Sequence, residues 1–203
     1  MSRKQTSLFL AALVLALAPT AAALAAEPEA LCADCHGKDG ASTESDVPTI
    51  GGVSESYLLD NMAAYRDSKR PCPETKFRGG DTKRAKTDMC KIAGKLSADE
   101  TAKVAKHLAA EPFVKAKQKF DAAKAATGKK IHDTQCEKCH AEGGSSADDD
   151  AGILAGQWMP YLKETFAQYT KGARPQPDKM KVKFNALKPD EQEALLHYYA
   201  SQQ

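Results

Sequence analysis

Long hydrophobic runs are scarce in this chain. The one sustained stretch is Leu8–Leu17, ten residues, preceded by Arg3 and Lys4 and followed by Ala23-Leu24-Ala25. A membrane-spanning helix needs about 20 apolar residues, so this pattern reads as a cleaved export signal over residues 1–25. No later stretch could span a bilayer, and the mature chain is expected to be exported without a membrane span. An excess of positive charge is missing too. Lys and Arg total 29 against 27 Asp and Glu, and loss of Arg3 and Lys4 leaves 27 of each. Nucleic acid is therefore excluded as a partner, because it would call for a basic surplus. Strand-like alternation is absent, which excludes a β architecture. No dinucleotide-binding glycine fingerprint occurs either, since Gly79-Gly80 stands alone.

What is present is a repeat. Cys32, Cys35 and His36 return 104 residues on as Cys136, Cys139 and His140. At the same offset Gly40 matches Gly144, Gly52 matches Gly156, Tyr57-Leu58 matches Tyr161-Leu162 and Arg70-Pro71 matches Arg174-Pro175. The offset then becomes 91, pairing Met89 with Met180, Asp99-Glu100 with Asp190-Glu191 and Ala109 with Ala200. Two homologous domains follow, over residues 26–112 and 113–203, and the first holds 13 extra residues between Pro71 and Met89.

Both halves read as all-α. Leu58, Leu59, Met62 and Tyr65 fall at helical spacing over Glu55–Arg66, and Tyr161, Leu162, Phe166 and Tyr169 repeat the stripe. Ser97 to Glu100 is a capping-box pattern, and Pro189 suits a first helical turn. A further helix is expected from Phe113 to Ala126, ended by Gly128.

Cys-x-x-Cys-His sets two thiols one helical turn apart, where they can add to the two vinyl groups of one haem while the adjacent histidine reaches the iron. Zinc is the competing reading of Cys-x-x-Cys. It loses because each motif carries its own histidine inside its own repeat, and because export disfavours free thiols. The chain is thus expected to hold two covalently bound c-type haems, at Cys32, Cys35 and His36 and at Cys136, Cys139 and His140. Of its methionines only Met89 and Met180 correspond between repeats, and both precede a final helix, where a loop could present sulfur opposite the histidine. They are the expected sixth ligands, and thioether ligation makes a closed electron-transfer centre. Met62 and Met159 read as apolar packing. His107, His132 and His197 have no repeat partner and read as surface or packing residues. Cys72 and Cys90 bracket the extra segment, and oxidising export makes a disulfide the expected reading, with a redox-active or metal-binding pair as the alternative. Closing some 18 residues, the disulfide would contribute about 3 kcal/mol on the chain-entropy model. Arg70 and Arg174 read either as helix C-terminal cations or as hydrogen-bond donors to haem propionates. Trp158 reads either as a haem cover or as core.

The paired motifs resemble the dihaem cytochrome c4 class. The second half is similar to the cytochrome subunit of flavocytochrome c sulfide dehydrogenase, through Ile131-His132-Asp133, Glu137-Lys138, Glu142-Gly143-Gly144, Ile153 to Trp158, Pro160-Tyr161-Leu162, Lys179-Met180 and Tyr199 to Gln203. The Cys72–Cys90 insert departs from that subunit. The resemblance implies two tandem class-I cytochrome c domains, periplasmic location and electron transfer rather than catalysis by this chain. On the sulfide dehydrogenase reading, electrons arrive from an FAD flavoprotein subunit that oxidises sulfide. On the alternative, a stand-alone cytochrome c4-type carrier delivers them to a terminal oxidase or another redox protein.

Overall fold

The computed structural model describes residues 28–148 and 150–203. The export signal expected over residues 1–25 lies outside the described residues. Among those described there is no strand, only an isolated antiparallel bridge between Thr75 and Thr87. No described helix is long and apolar enough to cross a membrane. The first half contributes α1 (Pro28–His36), α2 (Glu55–Arg66), α3 (Met89–Lys95) and α4 (Ala98–Ala110). The second contributes α5 (Ala122–Ile131), a π-helical turn (His132–Cys136), the irregular turn α6 (Ala141–Gly144), α7 (Met159–Thr170), α8 (Asp178–Asn185) and α9 (Pro189–Ser201).

Local sequence sets the helix starts. The Ser54 hydroxyl accepts from the Tyr57 N–H at 3.1 Å to open α2. Ser97 and Glu100 form the reciprocal capping box of α4, and Pro189 occupies the first turn of α9. Behind those caps, α4 lays Val104, Ala105 and Leu108 into a cluster with Val53 and Leu58. In the second half, Leu195, Leu196, Tyr198 and Tyr199 of α9 pack on Leu162 and Phe166 of α7 and Phe184 of α8. These are thin cores for units of this size, which fold marginally when alone.

The repeat extends to individual hydrogen bonds. Ile50 N donates to Gly40 O and Leu154 N to Gly144 O, each at 2.8 Å. Gly52 N donates to Leu108 O and Gly156 N to Tyr199 O, again at 2.8 Å. Gly52 and Gly156 both adopt left-handed backbone, with φ of 76° and 74°, a conformation that glycine reaches without steric cost.

The segment after Pro112 departs from expectation. Residues 113–121 are not helical, and α5 starts only at Ala122, where the Asp121 carboxylate caps the N–H groups of Ala123 and Lys124 at 2.8 and 2.9 Å. The earlier residues find partners across the chain instead: Ala116 N donates to Gly156 O at 2.7 Å, and Gln118 bonds Gln157 O and Met159 N, both at 2.8 Å. Gly128 does not end the helix. It marks the crossing of α5 and α9, where a Cβ would stand 2.1 Å from the Ala194 carbonyl oxygen.

The two halves are joined by side chains buried between them. The Gln157 amide holds Thr49 by both backbone groups, accepting from its N–H at 3.0 Å and donating to its carbonyl at 2.9 Å. Trp158 donates its indole N–H to Ser42 O at 2.9 Å, so it is a clasp between halves. Ile153 of the second half is buried in the first half's cluster. Replacing Gln157 with Ala strands a buried donor and acceptor on Thr49, and a loss of about 2 kcal/mol is expected from such unsatisfied groups. Urea unfolding of the haem-loaded chain checks this as a lowered midpoint.

Candidate haem-attachment sites

In the first half α1 carries the whole motif. Cys32 and Cys35 share one helix face, and His36 closes the helix with a buried imidazole whose Nδ1 lies 2.9 Å from Pro48 O. A carbonyl oxygen can only accept a hydrogen bond, so Nδ1–H is the donor and the Nε2 lone pair is left for a metal. Burial holds the His36 pKa below its ordinary value, outweighing the opposing pull of Pro48, which keeps the ring neutral as ligation requires. Burial, then Glu29 and Cys35, push the Cys32 thiol up to about 11. Burial also raises Cys35, although the Arg78 N–H pulls the other way. Such thiols are unlike the depressed, reactive thiolates of redox or nucleophilic sites.

The second motif is held differently. Cys136 ends the π-helical turn, Cys139 is exposed, and His140 lies beyond the helix at φ −126°. The cause is His132, which is fully buried. Its Nε2 meets a Glu137 carboxylate oxygen at 2.6 Å and its Nδ1 meets the Tyr199 hydroxyl at 3.0 Å. Glu137 N donates to His132 O at 2.9 Å, closing the wide i to i+5 turn, and the same carboxylate oxygen accepts from Gly143 N at 3.2 Å. His132 has no repeat partner, and beyond its place in Ile131-His132-Asp133 its signal in the sequence is an acid five residues on, inside the haem motif.

Met89 and Met180 sit in the first turns of α3 and α8, not on irregular loops. Only the first of these helices has a side-chain cap. Asp88 caps α3 by accepting from Lys91 N at 2.8 Å, and Pro177 precedes α8. Cys72 and Cys90 form a disulfide with a Cα–Cα distance of 5.8 Å, fastening the residue after Met89 to the chain just past Arg70. Met62 lies within α2 and Met159 at the start of α7.

Arg70 and Arg174 end up almost wholly buried, 8% and 5% exposed, on either side of the seam between the halves. Both donate to the Asn61 side-chain oxygen, Arg174 at 3.4 Å. Arg174 also donates to the Tyr57 hydroxyl at 3.3 Å and to Thr165 Oγ1 at 3.4 Å. Their guanidiniums lie over Tyr65 and Tyr169 at 4.2 and 5.0 Å from the ring centroids. Neither has a carboxylate partner among the described residues, and Arg70 Nε is buried without a hydrogen bond. Burial alone would push the Tyr161 hydroxyl up, yet Arg174 and Arg70 together pull it down to about 8. Two buried cations without an acid call for an anion from outside the chain. Haem propionates are such anions, and the residues present fit haem.

The comparisons agree with that chemistry. Residues 22–110 match the cytochrome c family. Over 149 residues the chain is 29% identical to cytochrome c4 of Pseudomonas aeruginosa, covering 71% of this chain and 69% of that protein. It is 28% identical over 153 residues to cytochrome c4 of Azotobacter vinelandii, covering 71% and 70%. The chain is similar to cytochromes c4 over about two thirds of their length. The solved structure of reduced recombinant cytochrome c4 from Pseudomonas stutzeri superposes with a TM-score of 0.67 at 23% identity, over 84% of this chain and 93% of that one. A thiosulfate dehydrogenase from Marichromatium purpuratum gives a TM-score of 0.65 at 25% identity, over 84% of this chain and 36% of that one. The cytochrome c4-like fold is therefore the two-domain class-I arrangement, and its cofactors are covalently bound c-type haems.

Two outcomes are expected of this cytochrome c4-like chain. Arg174→Leu removes a buried cation beside the anion site, and Arg70→Leu does the same on its own side. Each should lower a haem midpoint potential, read by spectroelectrochemistry, because the lost positive charge favoured the reduced state. Glu137 is held below its ordinary pKa, first by its hydrogen bond to His132. A depressed acid stabilises the fold above its unfolded pKa of about 4.3, and that stability is lost as pH falls through the lower folded value. The gap in urea midpoint between the natural chain and Glu137→Gln should be wide at pH 7 and close below about pH 4.

Proposed function

We propose that this chain is a stand-alone, periplasmic dihaem electron carrier of the cytochrome c4 type. The observation that carries the proposal is the doubled haem motif, set in a two-domain fold with 28–29% identity to cytochromes c4 over 69–70% of their length. Each haem supplies a reversible one-electron centre. The chain's own part is to hold and enclose it. Cys32 and Cys35 attach the first haem and Cys136 and Cys139 the second. His36 and His140 supply one axial nitrogen each, and Met89 and Met180 the sulfurs opposite. His36 is oriented by Pro48, and the Cys72–Cys90 disulfide fixes the chain next to Met89. Arg70 and Arg174 neutralise the propionates at the seam, which favours both haems lying with those edges toward one another.

A second reading, the haem subunit of flavocytochrome c sulfide dehydrogenase, is favoured by the motif likeness of residues 131–203. The thiosulfate dehydrogenase match adds that a unit of this shape is found within a larger dehydrogenase. On that reading an FAD subunit would co-purify with the chain from its source. A chain that purifies alone with two haems and reduces a terminal oxidase supports the carrier, whereas isolation only in complex with an FAD subunit would overturn it.

Met89→Ala and Met180→Ala should each open one iron. Carbon monoxide added to the reduced, folded protein should then bind one haem per chain in each variant and none in the natural protein. Binding to the natural protein would remove the methionine assignment.

A further inference from the structure

The two haem motifs are alike in sequence but not in what lies over them. In the first half the insert folds back onto α1. Arg78 N and Gly79 N both donate to Asp34 O, at 2.8 and 2.7 Å, and Arg84 Nη2 pairs with the Asp34 carboxylate at 2.5 Å. Asp34 is the residue just before Cys35. The insert is held there by the buried Phe77 under the Arg84 guanidinium, by Arg78 paired to Asp46 at 2.6 Å, and by the Cys72–Cys90 disulfide closing its base. A thioether sulfur is one bond from the haem's vinyl carbon, so a strap over Cys35 is a strap over that edge of the first haem.

The second half has four residues between Pro175 and Met180 where the first has 17 between Pro71 and Met89, and so no strap. Cys136 is half-buried like Cys32, but Cys139 is exposed where Cys35 is not. The position of Asp34 is taken by Lys138, exposed and without an ion pair among the described residues. Beside it, Lys183 of α8 donates to Gln135 at 2.9 Å, and Lys181 and Lys183 flank Val182, which is 72% exposed. The exposed Cys139, an exposed apolar side chain and cations without ion pairs among the described residues make a face for a negatively charged partner.

We propose that electrons leave and enter this protein through the second haem, where an acidic redox protein docks on Lys138 and on Lys179 and Lys183, which share one face of α8, while the insert closes the first haem's edge. This rests on the carrier reading above. Each exchange moves one electron, oxidising a ferrous haem to ferric as the partner is reduced.

Two double variants with equal change in charge test it. The fully reduced, haem-loaded chain is mixed in stopped flow with ferricyanide, a trianion that is reduced to ferrocyanide by one electron. Lys138→Glu with Lys183→Glu should slow the bimolecular phase about tenfold at low ionic strength, an effect that added salt erases. Lys76→Glu with Lys83→Glu, on the insert, should leave it within about twofold. Equal slowing by the two pairs, greater slowing by the insert pair, or no slowing by either overturns the proposal. A natural protein with fewer than two haems per chain by pyridine haemochrome would instead bring down the carrier reading, and this inference with it.

Discussion

Arg70 and Arg174 reach the same amide oxygen from opposite sides of the seam, with tyrosine rings rather than carboxylates around them. Burying one guanidinium without an acid is costly, and two within reach of a single side chain also repel one another. The arrangement is stable only if negative charge enters from a group outside the polypeptide. That makes the join between the halves and the binding of haem a single energetic problem. The apolar clusters on either side are thin, so each half has little packing of its own to set against that cost.

Much of this was written in the sequence, because covalent haem attachment needs a fixed spelling and duplication repeats it. The offsets of 104 and 91 residues located the matching glycines, tyrosines and arginines, and the backbone bonds of Gly52 and Gly156 to the last helix of each half follow the same register. Ser97 and Pro189 marked their helices because caps are local chemistry. The helix expected from Phe113 is absent up to Asp121 because that segment's partners, Gly156 and Gln157, are some forty residues away, and no local pattern announces a segment held by another part of the chain. His132 was undervalued for the opposite reason. The repeat was the guide, and His132 belongs to the half that departed from it.

The departures are as informative as the likeness. One half spends 13 extra residues and a disulfide on a strap over Asp34, and the other places a lysine at the same point. One motif rides a regular helix, and the other is wound through a wider turn by a buried imidazole and its acid. Duplication provided two equivalent centres, and small local changes gave each its own exposure and its own electrostatic surroundings.

The segment from Phe113 to Asp121 has a consequence for timing. A free linker would let the halves tumble, and passage of an electron between them would wait on their meeting. Here Ala116 and Gln118 of the linker bond to Gly156 and Gln157, while Gln157 is itself locked onto Thr49. The separation between the halves is set by the fold, so electron exchange inside the molecule is a fixed-distance event. Its rate is governed by energy gap and packing, and is indifferent to the viscosity of the medium.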